Sequence, residues 1–147
     1  MEEFPRIYLY RRIVQAKIFI DEHFSSSIDL DNIAGEAYFS KYHFIRLFKS
    51  AYNKTPHQYL ISVRIEKAKD LLKQNLPVIE VCEQVGFESV SSFSGLFKRI
   101  TGISPSAFQQ QELKMRQEIR RVPLKFIPNC FAESNGWIKN SNFEEAS

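Results

Sequence analysis

The side chains with which this sequence could ligate a metal or attack an electrophile are three histidines, His23, His43 and His57, and two cysteines, Cys82 and Cys130. Their spacing suits neither role. No two of them stand at zinc-ligand separations, and two cysteines do not make a disulfide framework. His43 and His57 fall at the starts of expected helices, where capping or surface roles outweigh acid–base work. Cys82 falls at a small core position, which favours a packed thiol over a redox switch. No nucleophile–base constellation and no phosphate-cradling glycine loop appears, since turns explain Gly86 and Gly102. The expectation is a protein that is not an enzyme, with no metal and no cofactor.

The chemistry the sequence does carry is cationic and localised. The net charge over 147 residues is only +3. Between Lys41 and Lys73, however, eight basic residues (Lys41, Arg46, Lys49, Lys54, Arg64, Lys67, Lys69, Lys73) face two acidic ones, Glu66 and Asp70. From Gln74 to Phe97 there is no basic residue, against Glu80, Glu83 and Glu88. A polyanion bound by this chain would draw most of its attraction from the middle third.

A hydrophobic content of 44% supports a real core and excludes disorder as the default. No apolar run approaches the ~18 residues needed to span a bilayer. The acidic start Met1-Glu2-Glu3-Phe4-Pro5 does not read as a signal peptide, so a cytoplasmic location away from membranes is expected. With 5 glycines, 6 prolines and apolar residues recurring every three or four positions, the chain reads as all-α. A first helix from about Arg6 to Phe24 places Leu9, Ile13, Ala16, Ile20 and Phe24 on one face. Asp29 caps a short helix from about Leu30 to Ala37. After a turn at Tyr38-Phe39, Ser40 caps a helix to about Tyr52, with Phe44, Leu47 and Phe48 inward and Lys41, Tyr42, Ile45, Arg46 and Lys49 outward. Asn53 closes that helix in the left-handed conformation. Thr55-Pro56-His57-Gln58 is a capping-box start for a helix over about 56–74, with Ile61, Ile65, Ala68 and Leu72 inward. A short helix to about Val85, a helix from Ser89 to Thr101 closed by Gly102, and a helix opened by Ser104-Pro105 complete the set.

The second half repeats the first. Tyr38, Ser40, Phe44, Leu47, Phe48, Lys49, Asn53, Pro56 and Tyr59 fall on Phe87, Ser89, Phe93, Leu96, Phe97, Lys98, Gly102, Pro105 and Phe108, every pair 49 apart. Upstream of the turn, Ala34 pairs with Cys82 at an offset of 48. Each copy is short helix, tight turn, longer helix: a helix-turn-helix unit. A two-copy scaffold gives no reason for both longer helices to begin with a hydroxyl cap and carry a Phe-Lys step at one place. A DNA reader does, because the Phe anchors the helix while its opposite face and N-terminal N–H groups meet bases and phosphates.

On these residues the chain resembles the AraC/XylS family of bacterial transcription regulators over roughly Ile13 to Gln111. The most specific stretches are Ile33-Ala34 through Ser40, Phe44, Arg46, Phe48-Lys49 and Thr55-Pro56 to Tyr59-Leu60, then Gly86-Phe87, Ser89, Phe93, Phe97-Lys98, Gly102, Ser104-Pro105 and Phe108. Arg64 to Leu72 resembles the family's linker helix. The resemblance implies a DNA-binding domain over 6–111: a first helix-turn-helix at about 30–52, a linker helix at about 56–74 and a second helix-turn-helix at about 78–101. It also implies recognition helices 40–52 and 89–101 in successive major-groove segments, about one turn or roughly 34 Å apart.

In the first recognition helix the resemblance places Tyr42, Ile45 and Arg46 where family members touch bases or nearby backbone. Arg46 is the strongest base reader, through guanine O6 and N7, against the alternative of a surface ion pair or phosphate contact. Ile45 would meet a thymine methyl or simply pack, and Tyr42 would stack or hold a phosphate or sit at the core rim. Lys41 and Lys49 are expected on phosphates. In the second helix Val90, Ser91, Ser94 and Gly95 face DNA and none carries a long donor. That half is expected to dock chiefly through Ser89, Lys98 and Arg99 on the backbone, with shape read in place of bases.

The expected function is a sequence-specific double-stranded DNA-binding regulator of transcription, an activator by the family's commoner role. It would be a monomer on DNA, nucleoid-associated, with RNA polymerase as a further candidate partner. The alternative is a helical protein–protein adaptor that keeps the fold without DNA binding. Because the chain starts almost directly at its first helix, no ligand domain is expected before the reader, which leaves control to abundance or to a partner. The extension 112–147 begins as a helix to about Arg121. It then carries Phe126, Ile127, Phe131, Trp137, Ile138 and Phe143, which leaves disorder and docking, on the domain or on a partner protein, as open alternatives.

Overall fold

Phenylalanines set the architecture: Phe44, Phe48, Phe93 and Phe97 are all fully buried, two in each copy of the repeat. A computed structural model describes residues 3–31 and 41–122. Among the described residues the secondary structure is entirely helical: α1 (Glu3–His23), α2 (Lys41–Tyr52), α3 (Pro56–Lys73), α4 (Val78–Gln84), α5 (Val90–Thr101) and α6 (Pro105–Arg121). None of these helices is long and apolar enough to cross a membrane. The short helix expected to Ala37, the Tyr38-Phe39 turn, Ser40, the Ala34–Cys82 pairing and the extension beyond Val122 lie outside the described residues. Of that short helix, Leu30 and Asp31 are helical, and the Asp29 carboxylate accepts from the Asp31 N–H at 3.0 Å, as a cap should.

The boundaries follow the local chemistry read from the sequence. Thr55 Oγ1 accepts from Gln58 N–H at 3.2 Å while Gln58 Oε1 accepts from Thr55 N–H at 3.0 Å, the reciprocal box that starts α3. Ser89 Oγ accepts from Ser92 N–H at 3.1 Å and Ser104 Oγ from Ala107 N–H at 3.2 Å. Asn53 and Gly102 close α2 and α5 with φ of 60° and 89°, each N–H returning to a lysine carbonyl, that of Lys49 or Lys98. The sequence separates a short helix after Ser104 from a continuation at Glu112. The structure joins them in α6, so residue 111 falls inside a helix.

Two apolar cores lie along one shared helix. Ile13, Ala16, Ile20, Phe44, Phe48 and Leu60 form the first; Ile65, Ala68, Leu71, Leu72, Val81, Cys82, Val85, Phe93 and Phe97 form the second. The linker helix α3 therefore hands over between Leu60 and Ile65, supplying both. The ring contacts repeat as the sequence does. Phe48 meets Tyr59 edge-on at 5.8 Å, and their counterparts Phe97 and Phe108 meet edge-on at 5.5 Å. Polar ties hold the flanks: Tyr59 O–H donates to the Asp21 carboxylate at 2.6 Å, and Gln109 Nε2 donates to the Leu76 carbonyl just beyond α3 at 2.6 Å and to the Leu72 carbonyl in its last turn at 3.3 Å. Cys82 is buried among these side chains, and burial pushes its thiol pKa up, which suits a core residue and not a thiolate.

Candidate nucleic-acid interface

The buried phenylalanines orient the opposite faces of α2 and α5 outward. Positions three, four and seven residues apart share a helix face, so Tyr42, Ile45, Arg46 and Lys49 form one stripe. Their counterparts 49 residues on, Ser91, Ser94, Gly95 and Lys98, form the same stripe on α5. The two stripes are geometric equivalents with very different chemistry.

On α2, Tyr42 is 77% exposed, and Arg46 and Lys49 are exposed with no ion pair among the described residues, which leaves two extended cations available. Lys41 is exposed but occupied: its ammonium pairs with the Asp31 carboxylate, and that hydrogen bond raises its pKa. Lys41 must release or share Asp31 to reach a phosphate. Ile45, read as outward from its helical position, is half-buried and packs against the first core. Only part of its side chain is left for a methyl contact. Ser40 lies outside the described residues.

On α5, Val90 is 40% exposed, Ser91, Lys98 and Arg99 are exposed and Ser94 is half-buried. Ser89 spends its hydroxyl locally, accepting from Ser92 N–H and donating to Ser92 Oγ at 2.9 Å, so its foremost role is the cap. Gly95 occupies the register of Arg46, and a Cβ built there would meet nothing within 4 Å. The second stripe thus has a bare, open stretch of helix backbone where the first has a guanidinium. Neither stripe is sealed inside the globule. Among the described residues no group of three or more histidine, cysteine, aspartate or glutamate side chains converges to hold a metal.

Two residues behave differently from their sequence reading. Arg64 belongs to the cationic middle third but does not face outward: its Nε donates to the Phe24 carbonyl at 2.7 Å and its Nη2 to the Ser26 carbonyl at 3.0 Å. Burial lowers its pKa, although a guanidinium stays protonated at any ordinary pH. Gly86 is more than a turn residue, because a Cβ there would lie 2.8 Å from the Ser25 carbonyl oxygen. Neither role shows in the local sequence, since both depend on partners from the end of α1.

Comparison with known proteins places this architecture. A helix-turn-helix domain model matches residues 33–111. The chain is 36% identical over 92 residues to the probable transcriptional regulator LumQ of Photobacterium leiognathi, covering 62% of this chain and 37% of that one. It is 33% identical over 98 residues to the transcriptional activator AarP of Providencia stuartii, covering 66% of this chain and 73% of that one. The crystal structure of the DNA-binding domain of AdpA, a global transcriptional factor in complex with a target DNA, superposes with a TM-score of 0.66 at 31% identity, covering 71% of this chain and 96% of that one. The chain belongs to the family of AraC-type helix-turn-helix domains. It spans little more than a third of the length of LumQ, so the likeness is to that regulator's matching portion.

Proposed function

We propose that the chain reads double-stranded DNA in a sequence-specific way and regulates transcription, with α2 and α5 entering successive major-groove segments. The observation that carries this is the duplicated outward stripe, Tyr42, Ile45, Arg46 and Lys49 against Ser91, Ser94, Gly95 and Lys98, held on a fold like that of a domain solved on its target DNA. Arg46 reads a base, and Lys41, Lys49, Lys98 and Arg99 hold phosphates, as do Ser40, Ser89 and the α5 N-terminus. Ser91, Ser94 and Val90 add weak contacts, while the open backbone at Gly95 lets the duplex approach closely. Discrimination is therefore concentrated under α2, and α5 reads mainly shape. The chain acts on DNA as a monomer in the cytoplasm, where the nucleoid lies, as an activator that engages RNA polymerase. It binds and does not catalyse.

Titration separates the roles. Arg46→Ala should lose about 1–3 kcal/mol of discrimination at one base pair while affinity for unrelated duplexes changes little. Lys49→Ala should weaken all duplexes alike and reduce the slope of log affinity against log salt by about 1. Fluorescence anisotropy across a salt series reads both. The poor donor set of α5 favours one rival, a protein–protein adaptor, which would show no salt-dependent affinity for any duplex.

A further inference from the structure

The two cores share α3, but a single helix between two packed bodies leaves their relative rotation dependent on whatever else crosses the seam. Among the described residues a cluster around Arg64 crosses it. Arg64, midway along α3, holds the Phe24 and Ser26 carbonyls of the turn after α1 with two donors, at 2.7 and 3.0 Å, and its guanidinium lies 5.6 Å from the centroid of the Phe87 ring. Phe24 packs against the first core and Phe87 against the second, so one side chain touches residues of both units. From the other side, the turn between α4 and α5 presses on the same stretch. Gly86, at φ +88°, sits so close that a Cβ would stand 2.8 Å from the Ser25 oxygen and 3.0 Å from the Phe24 oxygen. The segment from Phe24 to Ser26 is thus gripped between the linker helix and the second unit. A guanidinium makes charge-assisted hydrogen bonds to backbone carbonyls, and its planar fork suits two acceptors at once.

We propose that Arg64, together with the Gly86 turn, is a spacing lock: a positioning residue that sets the separation and rotation of the α2 and α5 stripes, and with them the spacing between DNA half-sites that the protein accepts. The proposal rests on the DNA reading above. Arg64 itself is not a phosphate contact in this proposal, because its Nε and Nη2 hold the Phe24 and Ser26 carbonyls and its guanidinium lies against the Phe87 ring. Its removal changes which spacing is accepted and leaves the number of phosphates neutralised unchanged.

The test uses the full chain and a duplex carrying its enriched site, alongside duplexes with one base pair inserted or deleted between the two segments, a shift of about 3.4 Å. The wild type should discriminate the native spacing from both altered ones. Arg64→Lys keeps the charge but cannot span two carbonyls and stack on Phe87, so its preference should fall by tenfold or more while the salt slope stays that of the wild type. Circular dichroism confirms the fold. Should Arg64→Lys fail to fold, Phe87→Leu, which removes the ring beside the guanidinium and keeps an apolar side chain against the second core, should show the same loss of preference in weaker form. A folded variant with undiminished spacing preference would overturn the lock, and so would a salt slope reduced by about one ion, which marks a phosphate contact. If the wild type binds no duplex at any salt, the DNA reading itself is withdrawn and the lock with it.

Discussion

Phe97→Ala should lower the free energy of unfolding by about 3–5 kcal/mol, read as a shift of the urea midpoint with little change in slope. Phe97 has no exposed surface and packs at 5.7 Å from Phe93 and edge-on at 5.5 Å from Phe108. It ties α5 to the start of α6 and to the linker helix at the centre of the second core. Alanine would leave a cavity lined by aromatic rings that cannot collapse without moving α5. A total of about 5–15 kcal/mol is ordinary for a domain, so this one truncation would consume a large part of it. Loss of less than about 1 kcal/mol would mean that α5 is not anchored as described.

Gly86→Ala should cost about 2–4 kcal/mol, more than a glycine-to-alanine change usually brings, because two penalties coincide. The left-handed conformation at φ +88° is unfavourable for any residue with a Cβ, and the added carbon would meet backbone oxygens of Ser25 and Phe24 that no side-chain rotation can clear. Gly102→Ala supplies the control. Its φ is +89°, but a Cβ there meets nothing within 4 Å, so only the conformational part of the cost should appear in the thermal midpoint. Equal losses at the two glycines would show that the end of α1 does not press on the Gly86 turn.

Much of this molecule is legible in the sequence because its controlling signals are local. The hydroxyl caps at Thr55, Ser89 and Ser104 and the left-handed closures at Asn53 and Gly102 fix helix ends within a few residues of themselves. The offset of 49 exposes the repeat, since Phe44 and Phe48 are buried for the same reason as Phe93 and Phe97. The exposed stripes follow, being what remains once those faces are packed. What stays hidden is made by distant partners. Arg64 looks like one more cation for a polyanion, and only its bond to a carbonyl 40 residues earlier removes it from that pool. The same holds for Lys41, whose cation is shared with Asp31. The inward lean of Ile45 depends on how α2 sits on the first core, and helical periodicity places it only to within part of a turn.

On the proposed DNA reading one chain presents two unequal reading helices at a fixed separation, and selection of bound duplexes from a fully randomised pool tests this most directly. The expected result is a single asymmetric motif with two enriched blocks about one helical turn apart, stringent in the block under α2 and permissive in the other. A palindrome with equal halves, a lone short block, or a pool that enriches no sequence over its starting composition would contradict it.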